Sequence, residues 1–517
     1  MPQPPVQLVW FKRDLRVHDH RPLWEAAQRG PVLPLYIVEP DRLYAADFDP
    51  AHWTFIQTSL LELRDNLARL GQPLVVRVGE AVSVLDSLHQ QHPIAQLWAH
   101  EETGNDLARR RDQAVRAWAG DHNLPFTEIP PNGVVRGLAT RPGWANEWER
   151  RMRAPLTLPP DALPPVGIAP GRIPDLAQLR LPKDRRLLTQ PGGESAGEAL
   201  LASFLAERSA RYPLGLRDPA SAAADCSRLS PHLSYGTLSL RRVVQATRQR
   251  RRAVSRQGDN PHWVAALKAF ESRLAWRCHC MQQLEDEPAA EFHSFVPALD
   301  GLREGAFDRA AFDAWRQAET GFPLIDAAMR CLTATGWLDA RLRQLVAAFA
   351  VYDLWLHWRE PALHLARLFL DYEPGIHYPH MQMVAGTAGL IPLRLDDPTQ
   401  QARQRDPQGA FIRRWLPELA GVPTPFVHAP GLMPLSVQTS AGCIIGRNYP
   451  APIVDHVAAA QTALDRLTTA WRQPEARQQA QAALEKHGGS RPPVPRRSRP
   501  DTQRDSIQLE FDWGDET

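Results

Sequence analysis

The spacing of apolar positions changes character along the chain. Val6–Trp10 is a short apolar run that reads as a strand, and Val32–Val38, Leu74–Val78, Ile94–Ala99 and Pro125–Ile129 read as four more. Between them, Leu23–Arg29, Phe55–Leu70, Ala81–His89 and Asp106–His122 carry apolar residues at helical spacing. Strands that alternate with helices predict a doubly wound parallel sheet over residues 1–130. Residues 131–193 are crowded with Pro, Gly and Arg and show little periodicity beyond Trp144–Met152. They predict a long linker that wraps the surface. Helix then follows helix over residues 194–473, as in Gly197–Ala210, Leu240–Arg251, Trp263–Glu285 and Leu338–His357. That predicts a second, all-helical domain. Residues 474–517 predict one polar helix and a disordered tail.

Composition narrows the class. The chain has 517 residues, room for roughly two to four domains, and a mean hydropathy of −0.38. No run approaches the ~18 apolar residues of a membrane span. Met1–Phe11 lacks the basic start and cleavage site of a signal peptide, so a cytoplasmic protein is expected. Five cysteines are too few and too scattered for a disulfide framework. Sixty basic residues face 58 acidic ones. Few are Lys, and Arg suits phosphate forks and stacking. Sixteen Trp suit core packing or stacking around a planar ligand.

Familiar chemical signatures are missing. No GxGxxG follows the first strand, and no Walker A loop or G-x-S-x-G elbow occurs. Cys278 and Cys280 have no second pair at zinc spacing, so no metal is expected. Three segments remain. Around Cys226–His232, hydroxyls and backbone N–H groups lie where a helix would begin, an arrangement that suits a phosphate or serves as a simple cap. Phe270–Cys280 holds Trp276 and Arg277, and Gly321–Gly389 offers Arg343 and Asp371 as an ion pair. In the last segment Trp337 and Trp358 are candidates to flank a flat ring.

These segments resemble the photolyase/cryptochrome family. VWFKRDLRVHDH (Val9–His20), Tyr212, RDP (Arg217–Pro219) and SRLSP (Ser227–Pro231) are similar to family text. So are TGFPLIDAAMR (Thr320–Arg330), ATGW (Ala334–Trp337), HWRE (His357–Glu360), Asp406-Pro407 and FIRRWLPEL (Phe411–Leu419). The resemblance covers nearly the whole chain. It implies an α/β antenna domain, a helical domain that holds FAD, and blue-light electron transfer. A second antenna chromophore, of folate or deazaflavin type, is also implied. Carried over, Tyr212, Ser227, Leu229 and Ser230 hold the FAD phosphates or ribityl arm, and Trp337 packs near the adenine. Arg343 and Asp371 are the pair beside the isoalloxazine, with Glu373 alongside. His377 occupies the position that faces flavin N5, where its imidazole would titrate near physiological pH. Trp358 is the middle tryptophan of the electron relay. Arg273, Trp276, Arg277, Gln344 and Met383 fall on the DNA side, with Trp276 stacking on the lesion. The implied partner is UV-damaged DNA, met by a single chain without membrane contact.

The departures from the family pattern are specific. His377 stands where repair enzymes usually have Asn, and Met381-Gln382-Met383 replaces Trp-Gln-Trp. The first relay tryptophan is therefore missing, and the last has no obvious counterpart in Glu291–Gly321. Tyr352, Trp355 and Tyr378 are candidates for a substitute path. Arg273 replaces the Glu that binds the thymine pair, and Ala340 and Gln344 replace an Asn and a Met. Light-driven repair of cyclobutane pyrimidine dimers is the leading expectation. A cryptochrome-type receptor, repair of a (6-4) photoproduct and a flavin-binding relative that does neither are the alternatives.

Overall fold

The structure is a computed structural model that describes residues 5–488, apart from 139, 185, 187, 259, 306 and 391–394. The tail expected after the last polar helix lies outside the described residues. Five strands, β1 (Val6–Phe11), β2 (Val32–Val38), β3 (Val75–Val78), β4 (Ile94–His100) and β5 (Phe126–Ile129), form one parallel sheet in the order β3-β2-β1-β4-β5. β1 is central and wholly buried, which explains its near-continuous apolar run. Its one polar member, Gln7, accepts from the Trp98 indole N–H at 2.8 Å.

Alternation along β1 sends Val9 and Phe11 to one face, against Trp53, Phe55, Leu60 and Leu63 of the helix Pro50–Arg69. Leu8 and Trp10 point to the other, against Leu85, Val115 and Trp118 of the helices Ala81–Gln91 and Asp106–Asp121. The linker follows the sheet rather than leaving it. Leu163 N–H donates to the Leu70 carbonyl at 2.6 Å, and Val76 N–H to that of Pro170 at 2.7 Å.

The helical domain has two cores. Phe204, Tyr212, Val243, Val244, Phe270 and Leu274 centre one. The other is larger and surrounds the helices Pro323–Thr335, Ala340–Ala348 and Pro374–Ala385. The expected helix Leu338–His357 is shorter than its apolar pattern suggests. It stops at Ala348, passes through a wide π turn over Phe349–Asp353, and leaves helical geometry at Trp355, whose φ is +51°. A bulky residue in that region is strained. The turn delivers Trp358 to the core at 1% exposure.

The two domains meet along a tight seam. Arg13 donates to the Ser234 carbonyl at 2.9 Å and the Tyr372 carbonyl at 2.8 Å. Gly236 has φ +64°, and a Cβ there would lie 2.2 Å from the Arg13 carbonyl oxygen. Only glycine satisfies both the left-handed backbone and that approach.

Candidate functional site

Arg343 and Asp371 meet at the centre of the helical domain. Arg343 leaves the Ala340–Ala348 helix, which Asp339 caps by accepting from Arg341 and Leu342 N–H. Its Nη2 donates to Asp371 Oδ2 at 2.6 Å, its Nε to the Leu338 carbonyl at 2.9 Å, and its plane lies 4.1 Å from the Phe369 ring centre. Burial alone would raise the Asp371 pKa, but Arg343 and the Ser230 hydroxyl hold it below the ordinary value. The carboxylate is ionised, and its Oδ1 is buried without a partner among the described residues. Glu373 repeats the pattern. Its Oε2 takes Arg277 at 3.1 Å and Arg13 at 3.4 Å, while Oε1 has no partner. Buried acceptors left open in this way fit the ring and hydroxyl donors of a flavin nucleotide.

The Ser227–Pro231 segment faces Asp371. Ser230 opens the short helix Ser230–Ser234, Leu229 is fully buried, and Ser227 Oγ accepts from Leu229 N–H at 3.4 Å. Arg228 sits at φ +60°, its guanidinium 4.4 Å from the Trp337 ring centre, with Nε buried and unpartnered. Tyr212 packs against Phe204 and Phe270 in the adjoining core. The structure thus brings Ser230, Trp337, Arg343 and Asp371 together and adds Arg228, which sequence reasoning passed over.

Two expectations meet a different geometry. Arg277 does not project outward; it donates to Glu373, the Leu233 carbonyl and Ser234 Oγ inside the site. Arg273, one turn earlier on the Pro261–Asp286 helix, is exposed, and Trp276 beside it is half-buried. His377 donates Nε2–H to the Ala362 carbonyl at 2.8 Å and packs 5.4 Å from Tyr372 and 5.7 Å from Tyr378. Burial lowers its pKa to about 4, so the ring is neutral at physiological pH and is not the titrating group expected.

The relay positions are also resolved. Met381 lies in the core at 1% exposure, and Met383 is half-buried against the same core. Gln382 between them is a structural tie. Its amide donates to the Ala290 and His293 carbonyls at 2.6 and 2.7 Å and accepts from Phe295 N–H at 2.7 Å. Trp315, within the stretch searched for a last relay residue, is fully buried and donates to the Val346 carbonyl. Gln344 reaches Asp396 at 3.5 Å.

In the α/β domain, Phe11, Tyr36, Trp53 and Arg111 line a cavity of about 20 Å³. Another, of about 40 Å³, lies at the seam between Asp47, His52, Asn105 and Tyr372. The first has space for about one water and the second for a few, and the Arg42–Glu102 and Arg111–Glu102 pairs wall the second. Asp14, His20 and His100 gather metal-type ligand atoms in one buried place. Both histidines hydrogen-bond Asp14 Oδ2, at 2.8 and 2.7 Å, and His20 Nδ1 accepts from Leu23 N–H at 3.1 Å. This knot caps a helix.

A parallel-sheet domain is thus joined to a helical domain whose half-open carboxylates fit a flavin nucleotide. The description "DNA photolyase" matches residues 7–137, and "FAD binding domain of DNA photolyase" matches 270–469. The chain belongs to the photolyase/cryptochrome family, and FAD is its cofactor. It is 33% identical to a deoxyribodipyrimidine photo-lyase of Streptomyces griseus, covering 89% of this chain and 98% of the relative. It is 31% identical to a cryptochrome DASH of Gloeobacter violaceus, covering 87% and 93%. A bacterial class III photolyase from Agrobacterium tumefaciens superposes with a TM-score of 0.79 at 25% identity, covering 92% and 99%. Relatives thus carry both repair and cryptochrome names. Among the described residues no helix is long and apolar enough to cross a membrane.

Proposed function

We propose that this chain repairs cyclobutane pyrimidine dimers in DNA under blue light. FAD, when bound, supplies a light-excited one-electron donor. Asp371, kept ionised by Arg343, orients the ring by accepting a ring N–H at Oδ1. Arg228 and Trp337 stack to close the nucleotide side. Trp276 offers its exposed face to a flipped-out pyrimidine pair, which a lesion makes easier to extrude. Arg273 stands in solvent beside it, free to meet a phosphate.

The observation that carries this reading is the position of Trp276. It precedes Arg277, whose guanidinium bonds Glu373, two residues from Asp371. One ion pair therefore separates the ring proposed to meet the lesion from the carboxylate proposed to meet the flavin. Incubation of the FAD-loaded chain with ultraviolet-damaged oligonucleotides under blue light, read by chromatography, tests the proposal. Restored pyrimidines in light and none in darkness are expected. Dimers left intact in light would leave the receptor reading, which is favoured by Arg273 at the family's lesion-binding Glu position and by the engagement of Gln344 with Asp396.

A further inference from the structure

Two groups of rings near the flavin site differ in the charges around them. Tyr352 and Trp355 lie among cations. The Arg303 guanidinium, 3% exposed, is 5.9 Å from the Tyr352 ring centre and 4.4 Å from that of Trp355. Arg466 lies 5.0 Å from Trp355 as well. A cation beside a ring opposes removal of an electron from it. The second group runs the other way from Trp358. Trp358 and Tyr378 meet edge-on at 6.4 Å, and Tyr378 and Tyr372 meet edge-on at the same distance. Tyr372 then donates its hydroxyl to Asp47 Oδ2 at 2.6 Å.

Asp47 belongs to the α/β domain, is 7% exposed, and takes one further bond, from the Asn105 amide at 3.0 Å. Glu291 lies nearby, with its Oε2 on Asp106 N–H, while Arg359 reaches the Glu291 carbonyl at 3.4 Å. Trp358 and Tyr372 also differ in their options for proton loss. The Trp358 indole N–H is buried and has no acceptor among the described residues. An oxidised Trp358 has no group among the described residues to take its proton and remains a strong oxidant. An oxidised Tyr372 has a carboxylate already in hydrogen bond.

We infer that Tyr372 and Asp47 form the proton-coupled end of an electron route through Tyr378 and Trp358, replacing the relay lost at Met381. The inference rests on the flavin reading above, with light-excited oxidised flavin as the one-electron acceptor. Trp358 gives an electron to that acceptor, Tyr378 refills Trp358, and Tyr372 refills Tyr378. As Tyr372 loses its electron, its O–H bond breaks and an O–H bond forms on Asp47. A neutral tyrosyl radical and a neutral carboxylic acid remain, and the electron rests on the flavin. The seam cavity that Asp47 and Tyr372 both line gives water a path to return the proton.

Flash absorption and electron paramagnetic resonance on the full FAD-loaded chain test this, with steady flavin bleaching recorded on the same samples. The parent is expected to show a neutral tyrosyl radical that forms more slowly in D2O. Tyr372→Phe and Asp47→Asn are expected to remove that signal and shorten the charge-separated state by about tenfold, with FAD content unchanged. The same tyrosyl spectrum and lifetime in Tyr372→Phe, beside normal bleaching, would overturn the route. If neither variant folds, the parent alone decides: no tyrosyl signal, or no isotope effect on it, sinks the inference. A parent that holds FAD yet never bleaches would instead defeat the flavin photochemistry itself, and the route with it.

Discussion

Buried charges are handled in opposite ways in the two domains. Behind β1, Lys12 lies 2.9 Å from Asp112 and 3.6 Å from Glu128. Arg111 holds Glu39, Glu102 and Asp112 at 3.1, 2.6 and 2.8 Å, and both cations lie 4.9 Å from the Trp10 ring. Each of the two cations meets more than one carboxylate, and Glu128 Oε1 has only the long contact to Lys12. In the helical domain, Asp371 and Glu373 each keep one oxygen bonded and one open. A lattice in which each cation bridges several carboxylates ties its own elements together. Two half-bonded buried carboxylates two residues apart favour a ligand that completes both, and this pairing marks the site.

The sharpest way to break that contrast is Asp371→Ala. It strands Arg343 beside Phe369 and removes the open oxygen, so FAD should be lost and stability should fall by about 3 kcal/mol. Flavin absorbance and a denaturant titration measure both. Should the variant still purify with full FAD, the half-open carboxylate is not the flavin's anchor. Next in size is Trp276→Ala at the mouth of the site. Lesion preference should weaken by about 1–3 kcal/mol per stacked base, while FAD stays bound. Competition between damaged and undamaged duplexes reads this, and an unchanged ratio would remove Trp276 from recognition.

Lys12→Met probes the cross-linked lattice behind β1. Asp112 keeps Arg111, and Glu128 keeps Arg136 at 3.0 Å. The loss should be only about 1 kcal/mol, with no change in FAD content. A collapse of flavin binding would show that the two charge systems are coupled. The smallest effect is expected at Glu291, on the seam. Burial, the largest influence, raises its pKa from 4.5 to about 7, and the Asp106 N–H bond only partly opposes this. The contribution is fully present below about 4.5 and is lost as pH rises through about 7. Over that window the parent should lose about 1–2 °C of melting temperature relative to Glu291→Gln. Parallel melting curves across pH would place the proton elsewhere.

The parallel sheet was legible in the sequence because the first four strands are short, largely apolar runs between helical stretches, and local spacing suffices for that. Arg343 and Asp371 were legible because their segments resemble those of a known family. The Tyr372–Asp47 bond was not, since its partners are 325 positions apart and meet only when two domains close. The inward turn of Arg277 was hidden for a related reason, because Glu373 reaches it from another element. Nor did periodicity expose the break at Trp355. The apolar spacing of 338–357 is helical throughout, and tertiary packing, not pattern, forces the π turn and the positive φ. His377 shows the limit of position alone. The resemblance assigned it to the position that faces the flavin, whereas in the structure its ring nitrogen is committed to Ala362.

Gly236 bears on how the protein comes apart. With the Arg13 carbonyl lodged where a side chain would begin, and Arg13 itself bonded to residues 234 and 372, neither domain has a finished surface along that line. A fragment cut after residue 137 would present Arg13 and Asp47 to water without Ser234, Tyr372 and Glu373. The halves therefore behave as one cooperative unit on heating, and a chimera that exchanges the α/β half must carry the matching 234–236 and 371–373 segments with it.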